Sequence, residues 1–371
     1  MLIGIPKESR AGETRVAGTP DSIRKLLKKG FTFRVEKSAG LLAKFPDELY
    51  KMDGVEVTSA DAVYGCDIVL KFHKPNASEI GMLKKGSLLI SYLEPYNKDG
   101  TLDKLAAAGV DALSMELIPR TSRAQSMDAL SSQANIAGYR AVIEAAANYG
   151  RFFPMMMTSA GSAKPARVMV LGAGVAGLQA IATAKRLGAN VEAYDVRPEV
   201  KEQILSLGAK FVEFDLGEEG SGKGGYAKEL SEAAKKKQQE LLSEKLKKCD
   251  IVITTANIPG RKSPILVTEE TVRGMPAGSV IIDMAAANGG NCPLTEPDKV
   301  ITKHGVTLVG ITNYPGLVAT DSSQFYANNL VSLLGVLAET KDGKTSIKLN
   351  LEDDIIAAAL ITHNGKLCHQ L

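Results

Sequence analysis

Three glycines and an acid carry the first chemical signal. Gly172, Gly174 and Gly177 form G-x-G-x-x-G in VMVLGAGVAGLQ (168–179), directly after a run that reads as a strand and at the mouth of a helical pattern. In such a motif the first glycine makes the tight turn, the second admits a pyrophosphate to the backbone, and the third lets helix and strand pack closely. Val175 opens the helix, whose free N–H groups and dipole favour an anion. A second strand, VEAYDV (191–196), follows and ends in Asp195, 18 residues beyond Gly177. An acid at that spacing hydrogen-bonds the adenosine ribose and repels a 2′-phosphate, so NAD(H) is expected rather than NADP(H). Val196 and Arg197 adjoin that acid, and a basic Arg197 complicates the preference. The bland alternative is a glycine-tightened βαβ unit that binds nothing.

Two more segments could carry chemistry. IPRTSRAQSMDALSSQ (118–133) leaves the carboxyl end of the apparent strand 111–117, where α/β sheets place ligands, and offers Arg120, Gln125, Asp128 and Ser131. Asp128 also suits the N-cap of the long helical pattern that follows, and Arg120 could pair with a surface acid. GEEGSGKGGYAKELSE (217–232) is a glycine-rich connection in which Gly225 precedes Tyr226, its only large aromatic residue. Ala256, Asn257 and Ile258, after the run 250–256, are expected on the adenosine side. The lysine-rich tract 234–250 reads as the solvated face of a helix.

The elements that must hold these residues alternate. Strand-like runs at 2–6, 32–37, 55–58, 67–72, 87–93 and 111–117 are interleaved with helical patterns such as 21–30 and 102–109. The theme repeats at 167–172, 191–196, 210–214, 250–256, 279–285 and 307–312. Such alternation predicts mostly parallel sheets with helices on their faces. We expect an α/β protein of two Rossmann-like, doubly wound domains: residues 1–130 with 321–371, and residues 131–320. A hinge-like segment rich in Met, Ser and Gly falls at 154–163.

Composition narrows the field. With 44% hydrophobic and 23% charged residues, 35 glycines and only 5% aromatics, the chain reads as an ordinary globular α/β protein. A net charge of +3 gives no argument for nucleic acid. Cys66, Cys249, Cys292 and Cys368 show no CxxC spacing, so no metal site is expected and reduced thiols in the cytoplasm are the simplest reading. The longest uncharged stretch, 168–184, contains three glycines and falls short of a spanning helix, so no direct membrane insertion is expected.

With these residues placed, most of the chain resembles one superfamily: the alanine dehydrogenases and the NAD(H)-binding component of proton-translocating nicotinamide nucleotide transhydrogenase. IGIPKESRAGETRVAGTP (3–20) is similar to the start of both branches. In the dehydrogenase branch an Arg, a Lys, a His and an Asp handle the amino acid; here those positions hold Arg15, His73, Glu94 and Ala287, and three of the four depart. The segment 118–142 resembles the transhydrogenase loop, whose signature Arg, Gln and Asp stand as Arg120, Gln125 and Asp128; Ser131 resembles the hydroxyl that meets the nicotinamide carboxamide.

The resemblance further implies a mobile loop carrying Tyr226 and a nucleotide contact from Gln238. It implies NAD(H) in the cleft between the two domains, NADP(H) on a partner component, and direct hydride transfer between two nicotinamides. It also implies a homodimer, placed peripherally on the cytoplasmic side of the inner membrane through an NADP(H)-binding component and a membrane-spanning proton-channel subunit. Two alternatives stay open: a soluble alanine or related amino-acid dehydrogenase with an altered site, and a non-catalytic NAD-binding redox sensor.

Overall fold

The computed structural model describes residues 1–215, 231–257, 260–341 and 344–369. The chain divides into two units, residues 1–133 with 315–371, and residues 134–314.

The first unit is built on β1 (Leu2–Ile5), β2 (Thr32–Glu36), β3 (Val55–Thr58), β4 (Ile68–Leu70), β5 (Leu88–Ser91) and β6 (Asp111–Ser114), all parallel, in the order β3-β2-β1-β4-β5-β6. Leu360–His363 adds antiparallel to β6, and Lys366–Leu367 pairs outside it. Successive side chains serve opposite faces: Ile68, Leu70, Leu88 and Ile90 enter one core, Val69 and Leu89 the other. Both faces are therefore covered, as a parallel sheet of near-continuous apolar strands requires. The helix Ala319–Leu337 closes the larger core with Tyr326, Leu330, Leu333 and Leu334.

The second unit contains a small hairpin, β7 (Met156–Thr158) and β8 (Gly161–Ala163), where the sequence suggested only a hinge. Its main sheet comprises β9 (Arg167–Leu171), β10 (Asn190–Tyr194), β11 (Lys210–Phe211), β12 (Ile251–Thr254), β13 (Val280–Asp283), β14 (Val300–Lys303) and β15 (Val306–Val309). The order is β11-β10-β9-β12-β13-β15-β14, parallel except for β14. Again the register alternates, with Val168, Val170, Ile251 and Ile253 on one face and Met169, Leu171 and Val252 on the other. β14 has no counterpart in the sequence reading. His304 and Gly305, both at positive φ, turn it back on β15 in the manner of a tight hairpin.

The two sheets share one strand order, in which the winding reverses beside the first strand of each unit. Ligands of open α/β sheets lie outside the carboxyl ends of the strands at that reversal. In the first unit the place is β1/β4, in the second β9/β12.

Candidate functional site

At β9/β12 the fingerprint glycines have separable reasons. Gly172 has φ +98°, and a Cβ there would lie 2.4 Å from Thr255 Oγ1. A Cβ on Gly177 would stand 1.9 Å from the Gly172 carbonyl oxygen, so this glycine is what allows the helix Val175–Arg186 to press against its own turn. Gly174 is different. It is the helix N-cap, supplies no side-chain cap, and a Cβ there would meet nothing within 4 Å. Packing does not demand a glycine at 174; a group approaching the backbone from outside would. A phosphate at the N-terminus of a twelve-residue helix fits that opening.

Asp195 ends the adjoining strand. Its Oδ2 accepts the Ala173 amide at 2.7 Å, tying the glycine turn to β10. Arg197 donates through Nε and Nη2, both at 3.0 Å, and through its own amide at 2.9 Å. Burial would raise the Asp195 pKa, but the Arg197 guanidinium and the two amides outweigh it and hold the carboxyl below its ordinary value. Val175 and Val196 are exposed beside this turn, at 41% and 53%.

Across the reversal, the Ala256 carbonyl accepts Asn291 Nδ2 at 2.8 Å, and Asn257 Oδ1 accepts Asn288 Nδ2 at 2.8 Å. Gln238, on the helix Glu232–Leu246, donates to the Tyr194 hydroxyl at the end of β10. The second unit thus brings together the glycines, Asp195, Arg197, Ala256, Asn257 and, through Tyr194, Gln238. Gly225, Tyr226 and Ile258 lie outside the described residues. Sequence reasoning missed Thr255, whose hydroxyl donates to the carbonyls of Leu171 and Gly172 at 3.1 and 3.2 Å. It also missed Asp283, whose buried carboxylate accepts the amides of Ala285, Asn291 and Cys292 and fixes the segment facing Ala256. Their partners are remote in sequence or on the far side of a turn, so no local signal marks them.

In the first unit, the segment after β6 forms a 3-10 turn, Ser122–Met127, before the helix Ala129–Asn148. Ala124 and Met127 are sunk into the core, while Arg120 and Gln125 are exposed and, among the described residues, have no side-chain hydrogen-bond or ion-pair partner. Asp128 caps the helix: Oδ1 accepts the Ser131 amide at 2.8 Å, and Oδ2 accepts the Ser131 hydroxyl at 2.6 Å. The Ser131 oxygen keeps its acceptor capacity, oriented by Asp128.

The reversal at β1/β4 is filled with the chain's own charges. Glu8 accepts the Phe72 amide at 2.6 Å and lies 3.5 Å from the buried Lys71 ammonium, which also meets Glu79 at 3.2 Å. Arg15 donates Nε and Nη2 to Glu13 and Nη1 to Gln133. His73 touches Glu13 at 2.5 Å and Arg10 at 2.9 Å, while Glu94 pairs with Arg10 and Lys74. His73 and Glu94 are thus satisfied polar groups. Ala287, at the position of the dehydrogenase acid, is exposed. Among the described residues no cluster of His, Cys, Asp or Glu is arranged to hold a metal ion.

Two α/β units of this winding, one with a glycine turn open at its helix N-terminus, define a dinucleotide-binding architecture. Comparison places it further. Residues 4–137 match the alanine dehydrogenase/PNT N-terminal domain and residues 141–370 the alanine dehydrogenase/PNT C-terminal domain. The chain belongs to the alanine dehydrogenase/PNT family. It is 48% identical to the first of the polypeptides that make up NAD(P) transhydrogenase subunit alpha in Rhodospirillum rubrum, covering 100% of this chain and 98% of that protein. The crystal structure of transhydrogenase from Sinorhizobium meliloti matches with a TM-score of 0.86 at 43% identity, covering 100% of this chain and 99% of that one. An L-alanine dehydrogenase structure matches at 0.81 and 27% identity, over 100% and 97%.

Proposed function

We propose that this chain is the NAD(H)-binding component of a proton-translocating transhydrogenase. The second unit holds the dinucleotide: the Gly174 opening and the helix N-terminus take the pyrophosphate, and Asp195 takes the adenosine ribose, with Val175, Val196, Arg197, Gln238, Ala256, Asn257 and Ile258 around it. Gly225 and Tyr226 belong to a segment that closes over it and excludes water. When bound, NADH supplies a hydride directly to NADP⁺ held by a separate component. Arg120, Gln125, Asp128 and Ser131 bind and orient the nicotinamide end: Ser131 accepts a hydrogen bond from the carboxamide, and Asp128 fixes the direction of that hydroxyl. Orientation is the chain's contribution, worth several kcal/mol of barrier when reacting atoms are held in line. No proton moves at the reacting centre, so a missing ionisable group at Ala287 costs nothing.

The observation that carries this reading is the 118–131 segment, which anchors Ala124 and Met127 in the core and leaves Arg120 and Gln125 exposed without partners. The name and near-complete coverage of the R. rubrum relative support the same reading. No helix among the described residues is long and apolar enough to cross a membrane. Proton translocation therefore falls to a membrane-spanning partner subunit, on which the chain docks from the cytoplasmic side. The chain acts as a homodimer. Exposed Phe152, Met155, Met156 and Met157 around the β7–β8 hairpin support self-association there.

The test is to mix the purified chain with an NADP(H)-binding transhydrogenase component and follow NADH oxidation. Transfer to NADP⁺ that needs both components is expected. Robust turnover of pyruvate and ammonia with NADH by this chain alone would overturn the reading in favour of an amino-acid dehydrogenase.

A further inference from the structure

Asn329 is a buried amide on the helix Ala319–Leu337, 6% exposed, in a face otherwise made of Tyr326, Ala327, Leu330 and Leu333. A buried amide is costly unless both its ends are paired, and both are. Its Nδ2 donates to the Ser126 carbonyl at 2.8 Å, in the last turn of Ser122–Met127. Its Oδ1 accepts the Ser132 hydroxyl at 2.7 Å, in the first turn of Ala129–Asn148. Between these two points lie Met127, Asp128 and Ser131. One side chain thus fixes both ends of the short stretch from which Asp128 and Ser131 project, with Gln125 next to the clamped carbonyl. On the outer side, Arg123 donates to Asp353 and, at 3.0 Å, to Asp354, so the same turn is held from a second direction.

We propose that Asn329 is a positioning residue for hydride transfer: it touches no substrate, and it sets the 122–132 segment so that Gln125, Asp128 and Ser131 present to the nicotinamide. The proposal rests on the transhydrogenase reading above. A displacement of about 1 Å in a group that orients a reacting centre costs on the order of 100-fold in rate. Asn329→Ala frees the Ser126 carbonyl and the Ser132 hydroxyl together. Ser132→Ala removes only one of the two bonds and is the gentler variant.

The experiment measures three quantities on the parent chain, Asn329→Ala and Ser132→Ala, with the NADP(H)-binding component present for the kinetics. For Asn329→Ala the expected result is a fall in kcat of about 10–100-fold, an NADH affinity within about 3-fold of the parent, and a larger primary isotope effect with NADH deuterated at the transferred position. Amide hydrogen exchange in 122–132 should accelerate. Ser132→Ala should move the same quantities in the same direction, by less. A folded Asn329→Ala with parental kcat, isotope effect and exchange overturns the proposal. If Asn329→Ala does not fold, Ser132→Ala decides by the same criteria. If the parent chain transfers no hydride at all, the functional reading fails; unchanged exchange in the variants would then overturn the clamp as well, and accelerated exchange would support it as a device of the fold.

Discussion

Arg197 folds back on Asp195 so completely that the carboxylate has four donors: the Arg197 amide and Nε on Oδ1, the Ala173 amide and Nη2 on Oδ2. A carboxylate accepts about four hydrogen bonds. A ribose hydroxyl therefore reaches Asp195 by displacing the guanidinium, whose side chain is 40% exposed, rather than the buried amide of Ala173.

Asp195→Ala should weaken NADH binding by about 1–3 kcal/mol, the range for a lost buried charge-assisted bond, as read by titration. Its pH dependence has a definite sign. The folded-state pKa lies below the ordinary 3.8, so the stability this group contributes is complete above that value and is lost as pH falls through the folded one. NADH affinity should show no titration from Asp195 between neutrality and about pH 4.

Gly174 and Gly177 should respond oppositely to the same substitution. Gly177→Ala forces a methyl group to 1.9 Å from a carbonyl oxygen, and overpacking of this kind costs about 1–3 kcal/mol or more; the thermal midpoint should fall. Gly174→Ala meets open space, so stability should change by no more than about 1 kcal/mol, the scale of an altered N-cap, while NADH affinity drops. Parental affinity in Gly174→Ala would mean that the opening serves no ligand.

Gln125→Asn shortens an exposed side chain without disturbing the core anchors Ala124 and Met127. NADH binding should stay within about 2-fold, and hydride transfer with the NADP(H)-binding component should slow by about 10-fold or more. Equal rates would remove Gln125 from the mechanism.

Glu13→Gln tests the charges at β1/β4. Glu13 and Arg15 are 1% and 7% exposed, and breaking a buried pair costs about 3–5 kcal/mol because the remaining charge is stranded. Burial pushes the Glu13 pKa up, but Arg15 and His73 outweigh it and hold it far below 4.5. The contribution is therefore complete above pH 4.5 and is lost only in strong acid. Chemical denaturation at neutral pH and again near pH 3 should show the gap between parent and variant narrowing as Glu13 takes up its proton.

The strands were readable wherever a run is apolar on both faces, as in DIVLKF or DIVITTA, because both sides of a parallel sheet are buried. β14 and Leu360–His363 were not readable as strands, since each exists through antiparallel pairing with an edge already in place. The glycine fingerprint was legible because each glycine answers a local backbone need. Thr255 and Asn329 were not, because their hydrogen bonds join residues 84 and 203 positions apart. Arg197 was visible as a basic neighbour of Asp195, but its fork onto that carboxylate is a choice of rotamer that no sequence pattern expresses.

The β7–β8 hairpin gives self-association a chemical edge. A lone protomer would carry Met155, Met156 and Met157 in the open, at 62%, 39% and 73% exposure, and peroxide converts such thioethers to polar sulfoxides. A ribbon so altered would no longer bury itself against a mate, so on this reading assembly shields the very atoms whose damage would prevent it.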